Sequence, residues 1–260
     1  MPLADSSGEN KKKINKKGAV LMKISSATSV GKIRAVNEDS FLVCQISSGG
    51  ATLAVVADGM GGHNAGEVAS AETVNTLKDF IAKTNIPIKE LLLSAIQCAN
   101  NSVYKMSKKT PTLYGMGTTV TACVIEDDKV TAAQVGDSRL YLIRDNEITQ
   151  ITKDHSLVEM LVASGKISEE DAKHHPQKNI ITRAVGTDSS VEADIYEFLL
   201  KKDDILLLCS DGLVNMVEDE KILSLITTGD DFEALSDILV KEAETAGGHD
   251  NITVVLIKFD

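Results

Sequence analysis

The alternation of apolar and polar positions sorts most of the chain into short extended runs and two groups of helical runs. Apolar, β-branched stretches recur at residues 41–46, 52–57, 118–125, 130–135, 140–143, 205–209 and 252–259, the lengths expected of strands. Asp127-Asp128 and Asp145-Asn146 separate neighbouring runs, and these residue types tolerate the positive φ of tight hairpins, so the sheets are expected to be largely antiparallel. Helical spacing places Val74, Leu77 and Ile81 on one face, followed by Leu92, Ile96, Ala99, Val103 and Met106 on another. A second helical pair is expected from about 219 to 227, and then through Leu235, Ile238 and Leu239 to a stop at Gly247. Helices paired between groups of strands argue against a doubly wound parallel sheet. They predict an α+β, four-layer αββα sandwich of two mainly antiparallel sheets, each flanked by a helix pair.

Between Thr152 and Gly186 this pattern breaks. Ser156 with Glu159 reads as a capping box and Gly165 as the end of a short helix; Ser168 with Asp171 opens another, which His175-Pro176 closes. Short helices inserted between strands predict a small surface flap over about 153–186. Residues 1–21 are lysine-rich and without periodicity, which predicts a flexible basic arm ahead of a domain spanning 22–260, with Met22 an alternative start.

Composition narrows the function classes. A chain of 260 residues with 43% hydrophobic and 25% charged residues is an ordinary globular protein, with enough length for one large core or two small ones. Its apolar runs stop short of the ~18 residues a membrane helix needs and no signal-peptide pattern opens it, so a cytoplasmic protein without membrane attachment is expected. Cys44, Cys98, Cys123 and Cys209 are too widely spaced for zinc or a disulfide framework and read as small buried apolar residues. The net charge of −11 includes an arm with five lysines against Asp5 and Glu9, so the body carries −14 and is ill suited to nucleic acid.

Four aspartates stand at strand ends beside glycine: Asp58-Gly59, Gly136-Asp137, Asp211-Gly212 and Gly248-His249-Asp250. One Asp-Gly is ordinarily a turn; four could bring their carboxylates to one edge of the sheets. Two carboxylates ~5 Å apart repel by roughly 3 kcal/mol at an effective dielectric of ~20, which bound cations would remove. Oxygen ligands with little histidine favour magnesium or manganese over zinc. The glycine-rich segment 58–66 lacks the Lys-Ser/Thr ending of a phosphate-binding P-loop.

Six stretches, Gly31-Lys32-Ile33-Arg34-Ala35-Val36-Asn37-Glu38-Asp39, Val56-Ala57-Asp58-Gly59-Met60-Gly61-Gly62-His63, Gly115-Met116-Gly117-Thr118-Thr119, Val135-Gly136-Asp137-Ser138-Arg139, Cys209-Ser210-Asp211-Gly212-Leu213 and Gly247-Gly248-His249-Asp250-Asn251-Ile252-Thr253, resemble in order the motifs of the protein phosphatase 2C family. The resemblance covers about 31–259 and implies a stand-alone bacterial serine/threonine phosphatase with two manganese or magnesium ions and a weaker third. It implies that Asp58 bridges both metals, with the Gly59 carbonyl on one and Asp211 and Asp250 on the other. Glu38 and Asp39 would act through water, Asp137 would serve the third site, and Arg34 would bind phosphate through its planar fork. Phosphoserine and phosphothreonine would be hydrolysed by a water bridging the two metals. His63 lies four residues beyond Gly59, where it could protonate the leaving oxygen or hold structure by hydrogen bonding. The stretch from Lys153 to Gly186 resembles the flap of bacterial members, which would shape access for protein substrates. His174 and His175 within it read as packing or surface residues. The partners implied are phosphorylated proteins, the targets of a serine/threonine kinase, acted on by a monomer. Two rivals are a phosphoprotein-binding regulator of the same fold without turnover and a hydrolase of small phosphate esters or aspartyl phosphate.

Overall fold

The computed structural model describes residues 22–46, 50–61 and 65–260, so the basic arm and His63 lie outside the described residues. In chain order the elements are β1 (Met22–Ser29), β2 (Asp39–Gln45), β3 (Thr52–Met60), α1 (Ala65–Lys83), α2 (Ile88–Lys109), β4 (Gly117–Thr118), β5 (Val120–Glu126), β6 (Lys129–Val135), β7 (Arg139–Arg144), β8 (Glu147–Gln150), α3 (Leu157–Ala163), α4 (Glu169–Lys173), β9 (Asp194–Leu199), β10 (Ile205–Cys209), α5 (Asp211–Val214), α6 (Asp219–Thr228), α7 (Leu235–Thr245) and β11 (Ile252–Phe259). One sheet has the order β1-β11-β10-β7-β8 and the other β2-β3-β5-β6-β9, with β4 added at the end of β3. Every strand pairing among the described residues is antiparallel.

Successive side chains of a strand point to opposite faces, and here both faces of the central strands are covered. On β3, Leu53, Val55 and Ala57 pack under α1 and α2, whereas Ala54 and Val56 face the other sheet. On β10, Leu207 and Cys209 pack under the second helix group, while Leu206 and Leu208 meet the inner face of the sheet that holds β3. Three apolar layers therefore separate four layers of structure, the αββα sandwich that the pattern predicts. Truncating Leu208, fully buried between the sheets, to alanine would cost ~2 to 5 kcal/mol.

The structure departs from the sequence reading in several places. Residues 118–125 are not one strand: β4 pairs with Gly59 and Met60, and β5 starts afresh at Val120. Strands β1, β8 and β9 escaped the pattern because they lie at sheet edges, where one face meets water and apolar alternation is weak. In the first hairpin only Asp127 takes a positive φ, whereas both Asp145 and Asn146 do in the second. Ile238, expected on the buried face of its helix, is 40% exposed; Leu235, Leu239, Val240 and Ala243 form that face instead. In the flap, Ser156 accepts from the Glu159 amide, but the reciprocal box exists only at Ser168 and Asp171. An extra short helix, α5, follows β10 directly.

Register decides where the polar ends fall. Asp39 stands opposite Asp58, Ser29 opposite Ile252, and Cys209 opposite both Val254 and Arg139. The strand ends carrying Asp39, Asp58, Asp137, Asp211 and Asp250 thus share one edge of the sandwich.

Candidate active site

Asp58 is fixed through its backbone. The Thr119 amide and Thr118 Oγ1 both donate to its carbonyl at 2.8 Å, and its own amide donates to Thr119 Oγ1 at 2.9 Å. A Cβ on the next residue, Gly59, would sit 2.1 Å from the Gly66 carbonyl oxygen, so only glycine lets the start of α1 cross this close to β3. Asp39 reaches across from the same sheet into the other: its Oδ2 accepts from Ser210 Oγ and from Thr253 Oγ1, each at 2.7 Å.

Asp211 opens α5, and its Oδ2 accepts from Asn215 Nδ2 at 2.9 Å. Asp250 Oδ1 accepts from the Asn251 amide at 2.8 Å, and its Oδ2 pairs with Arg34 Nη2 at 2.8 Å. Asn251 ties the loop carrying Arg34 to this edge: its Nδ2 donates to the Val30 and Val36 carbonyls at 3.0 Å, and its Oδ1 accepts from the Glu38 amide at 2.8 Å. Arg34 lies 3.9 Å from Glu38 and keeps about half of its side chain in solvent, available at the mouth of the cleft. Glu38 Oε1 accepts from the Gly66 amide at the start of α1, a position that suits a carboxylate.

The electrostatics show that so many carboxylates share a confined space. Burial, and then repulsion from Asp39, Asp211, Asp137 and Asp250, pushes Asp58 well above the ordinary carboxylate range. Burial and the neighbouring carboxylates also push Asp39 up to about 7, Asp137 to about 8 and Asp211 to about 6. Asp39 rises despite the hydroxyls of Thr253 and Ser210, which favour its charged form. Burial raises Glu38 as well. For Arg34, burial opposes the charge, but Asp250 outweighs it and the guanidinium is held more firmly protonated.

The donor set fits a hard divalent cation. Asp39 Oδ1 and Asp211 Oδ1 are buried without any hydrogen-bond partner, although buried oxygens are almost always satisfied. Among the described residues, no three acidic, histidine or cysteine side chains close round a single point. Magnesium-like ions, which keep several of their waters, need no such cage.

Residues 29–251 match the protein phosphatase 2C family. The chain belongs to this family. The serine/threonine phosphatase stp of Listeria monocytogenes serotype 4b is 40% identical to this phosphatase over 238 residues, covering 90% of this chain and 94% of the relative. The solved structure of the S. agalactiae serine/threonine phosphatase superposes with a TM-score of 0.88 at 38% identity, covering 92% of this chain and 100% of that one. The catalytic domain of the serine/threonine protein phosphatase PstP, solved in complex with two manganese ions, gives a TM-score of 0.81 at 35% identity over 91% of this chain and 97% of its own. The protein is thus a serine/threonine phosphatase of a metal-dependent family.

The structure brings together the acidic side chains that stand out by residue type in this phosphatase, and it adds the groups that orient them. Ser210, Thr253, Thr119 and Asn251 all stood inside the motif stretches, yet nothing in one sequence says which hydroxyl or amide meets which carboxylate. His174, 80% exposed on its side chain and beside Glu170, is a surface residue as expected. Among the described residues no helix is long and apolar enough to cross a membrane.

Proposed function

We propose that this phosphatase hydrolyses phosphoserine and phosphothreonine in proteins at the carboxylate edge between its two sheets. The observation that carries the reading is the meeting there of Asp39, Asp58 and Asp137 from one sheet with Asp211 and Asp250 from the other, beneath a half-exposed Arg34. Asp58, the Gly59 carbonyl, Asp211 and Asp250 would hold two manganese or magnesium ions; Glu38 and Asp39 would act through water, and Asp137 would serve a weaker third site. Such ions, when bound, offset the phosphate's charge and acidify water.

The chain's own groups do the rest. Arg34 presents two parallel N–H donors to phosphate oxygens at the mouth of the cleft, orienting the ester. To do so it exchanges its contact with Asp250, which frees that carboxylate for a cation. Ser210 and Thr253 hold Asp39 in one rotamer, so its partnerless Oδ1 stays aimed into the site. A thiol nucleophile is poorly supported: burial pushes the Cys123 thiol up to about 12, and Cys209 higher, far from the thiolate such chemistry needs. The flap contacts the site through the Thr118–Val185 bridge and the Gly136–His155 hydrogen bond, a placement suited to shaping access for a protein substrate. The substrates we infer are proteins phosphorylated by a serine/threonine kinase, in a cytoplasm whose reducing conditions suit four free cysteines.

The test is phosphopeptide turnover with manganese and then with chelator, on wild type and Asp211→Asn, beside a small phosphate ester. Loss of turnover on chelation and in the variant is expected, with the phosphopeptide preferred. Chelator-insensitive turnover, or a variant as active as wild type, would overturn the assignment.

A further inference from the structure

The turn that presents Asp137 is gripped from two sides. On one side a Cβ at Gly136, whose φ is 101°, would lie 2.5 Å from Thr119 Cγ2, so the turn packs directly on the residue that fixes Asp58. Thr119 Oγ1 also meets Ser138 Oγ at 2.7 Å. On the other side stands His155, which is 8% exposed and belongs to the root of the flap. Its backbone amide donates to the Gly136 carbonyl at 2.9 Å, and its Nδ1 accepts from the Gly136 amide at 3.1 Å. One residue therefore meets both backbone groups of Gly136; the carbonyl also accepts from Gln134 Nε2 at 2.9 Å, but His155 alone takes the amide.

The acceptor role of Nδ1 places the ring proton on Nε2. Nε2 faces Asp194 Oδ2 at 3.3 Å and Arg183 Nη1 at 3.1 Å; arginine offers no acceptor, so the proton goes to Asp194. Arg183 in turn donates to Asp194 Oδ1 at 2.9 Å and to the Glu192 carbonyl at 3.1 Å. The His155 carbonyl accepts from the Thr182 amide at 2.7 Å, and Ser156 bridges to Ile181, so the two ends of the flap are zipped together at this histidine.

We propose that His155 is a positioning residue, holding the Asp137 turn to the closed root of the flap so that the Asp137 carboxylate is set by the flap's anchorage. The inference rests on the reading of Asp137 as the carboxylate of the weaker cation site and adds to it the group that aims it. His155 touches no reacting atom. It acts through the Gly136 peptide, and a loosened grip lets that turn, and the carboxylate one residue on, rotate away from Asp211.

The two amide side chains divide the imidazole's contacts. Asparagine can put an oxygen where Nδ1 lies but falls short of Asp194; glutamine reaches toward Asp194 but offers nothing at the Nδ1 position. The experiment measures, on the full chain, the manganese dependence of phosphopeptide turnover for wild type, His155→Asn, His155→Gln and Asp137→Asn. Amide hydrogen exchange at Gly136 is followed in chelator, and manganese titration calorimetry counts the tight sites. His155→Gln is expected to raise the manganese concentration at half-maximal turnover about tenfold, the loss of one well-placed hydrogen bond, and to speed Gly136 exchange by a similar factor. His155→Asn is expected to stay within about threefold of wild type on both readouts, and both variants to keep the two tight sites.

A wild-type manganese response in His155→Gln beside a shifted one in Asp137→Asn would overturn the clamp alone. A wild-type response in Asp137→Asn would bring down the reading of Asp137, and the proposal with it. Equal impairment of both His155 variants with Gly136 still protected would also overturn it, because the effect would not pass through Nδ1. Asp194→Ala, which removes the partner of Nε2 and of Arg183 but leaves Nδ1 on Gly136, covers the case of a His155 variant that fails to fold. It is expected to shift the response in the same direction by about threefold, and an unshifted response there would count against the clamp.

Discussion

Replacing Asp211 by asparagine should make the metal-free phosphatase more stable and the manganese-loaded one less so. In the metal-free protein the Asp211 carboxyl is pushed from 3.8 to about 6 by burial and by Asp250. A rise of roughly two units corresponds to ~3 kcal/mol against the charged form, reduced to about 2 because Asp211 as a residue is only partly buried. The sign follows from proton binding: the folded state holds this proton more tightly than the unfolded one, so the associated stability is complete below pH ~4 and is lost as pH rises through about 6. Asparagine has no such charge, but its amide nitrogen would occupy the place of the partnerless Oδ1 and costs ~1 kcal/mol there. The net gain at pH 8 is ~1 kcal/mol, or about 2 to 4 °C in melting temperature for a domain of this size, and below pH ~4, where only the cost of the amide remains, the variant is expected to melt about 2 to 4 °C below wild type. Saturating manganese reverses the order, since a ligand at a hundredfold its dissociation constant adds ~2.7 kcal/mol to wild type and far less to the variant. Thermal melts at pH 4 and pH 8, in chelator and in manganese, are the assay. If the variant melted below wild type in chelator at pH 8, or if manganese stabilised both equally, the account of crowded carboxylates relieved by cations would be wrong.

Arg34→Ala is expected to raise KM for a phosphopeptide about five- to thirtyfold with kcat less affected, toward the lower end because the side chain is half exposed and must leave Asp250; an unchanged KM in steady-state kinetics would refute its phosphate role. Gly59→Ala is expected to cost ~3 kcal/mol, read as a melting temperature lower by about 6 to 12 °C, because its Cβ would lie 2.1 Å from the Gly66 carbonyl oxygen. A chain beginning at Met22 is expected to melt within about 2 °C of the full chain and to keep its phosphopeptide turnover, since β1 pairs with β11 from Met22 onward; loss of most activity would show that the arm does more.

The sandwich was legible because its central strands are covered on both faces and so read as dense apolar runs, and because α2 repeats its buried positions at Leu92, Ile96, Ala99 and Val103. The edge strands were illegible for the converse reason. β1, with Ser25 as its one fully buried position and polar residues alternating around it, carries little apolar signal, and only pairing with β11 makes it a strand. At the site, aspartates beside glycine could be found by residue type, since charge and chain flexibility are local properties. Their supports could not. Ser210 and Thr253 reach Asp39 across 171 and 214 residues of chain, and His155 is a buried ring at the root of a flap whose two helices bury none of their residues. Asn100 did leave a trace: a polar residue on the buried stripe of α2, it accepts from the Gly186 amide and donates to the Asp188 carbonyl, anchoring the far end of the flap.

The antiparallel partnership of β1 with β11 has a practical consequence for building with this enzyme. Met22 faces Phe259 at one end of that pair, while Ser29 faces Ile252 at the other, beside Asp250. Eight residues of strand at ~3.3 Å each set both points some 25 Å from the carboxylate edge, on the rear of the sandwich. A fluorescent label, a surface tether or a fused recruiting domain attached before Met22 or after Phe259 would therefore trail behind that edge, leaving a bulky protein free to approach it from the front.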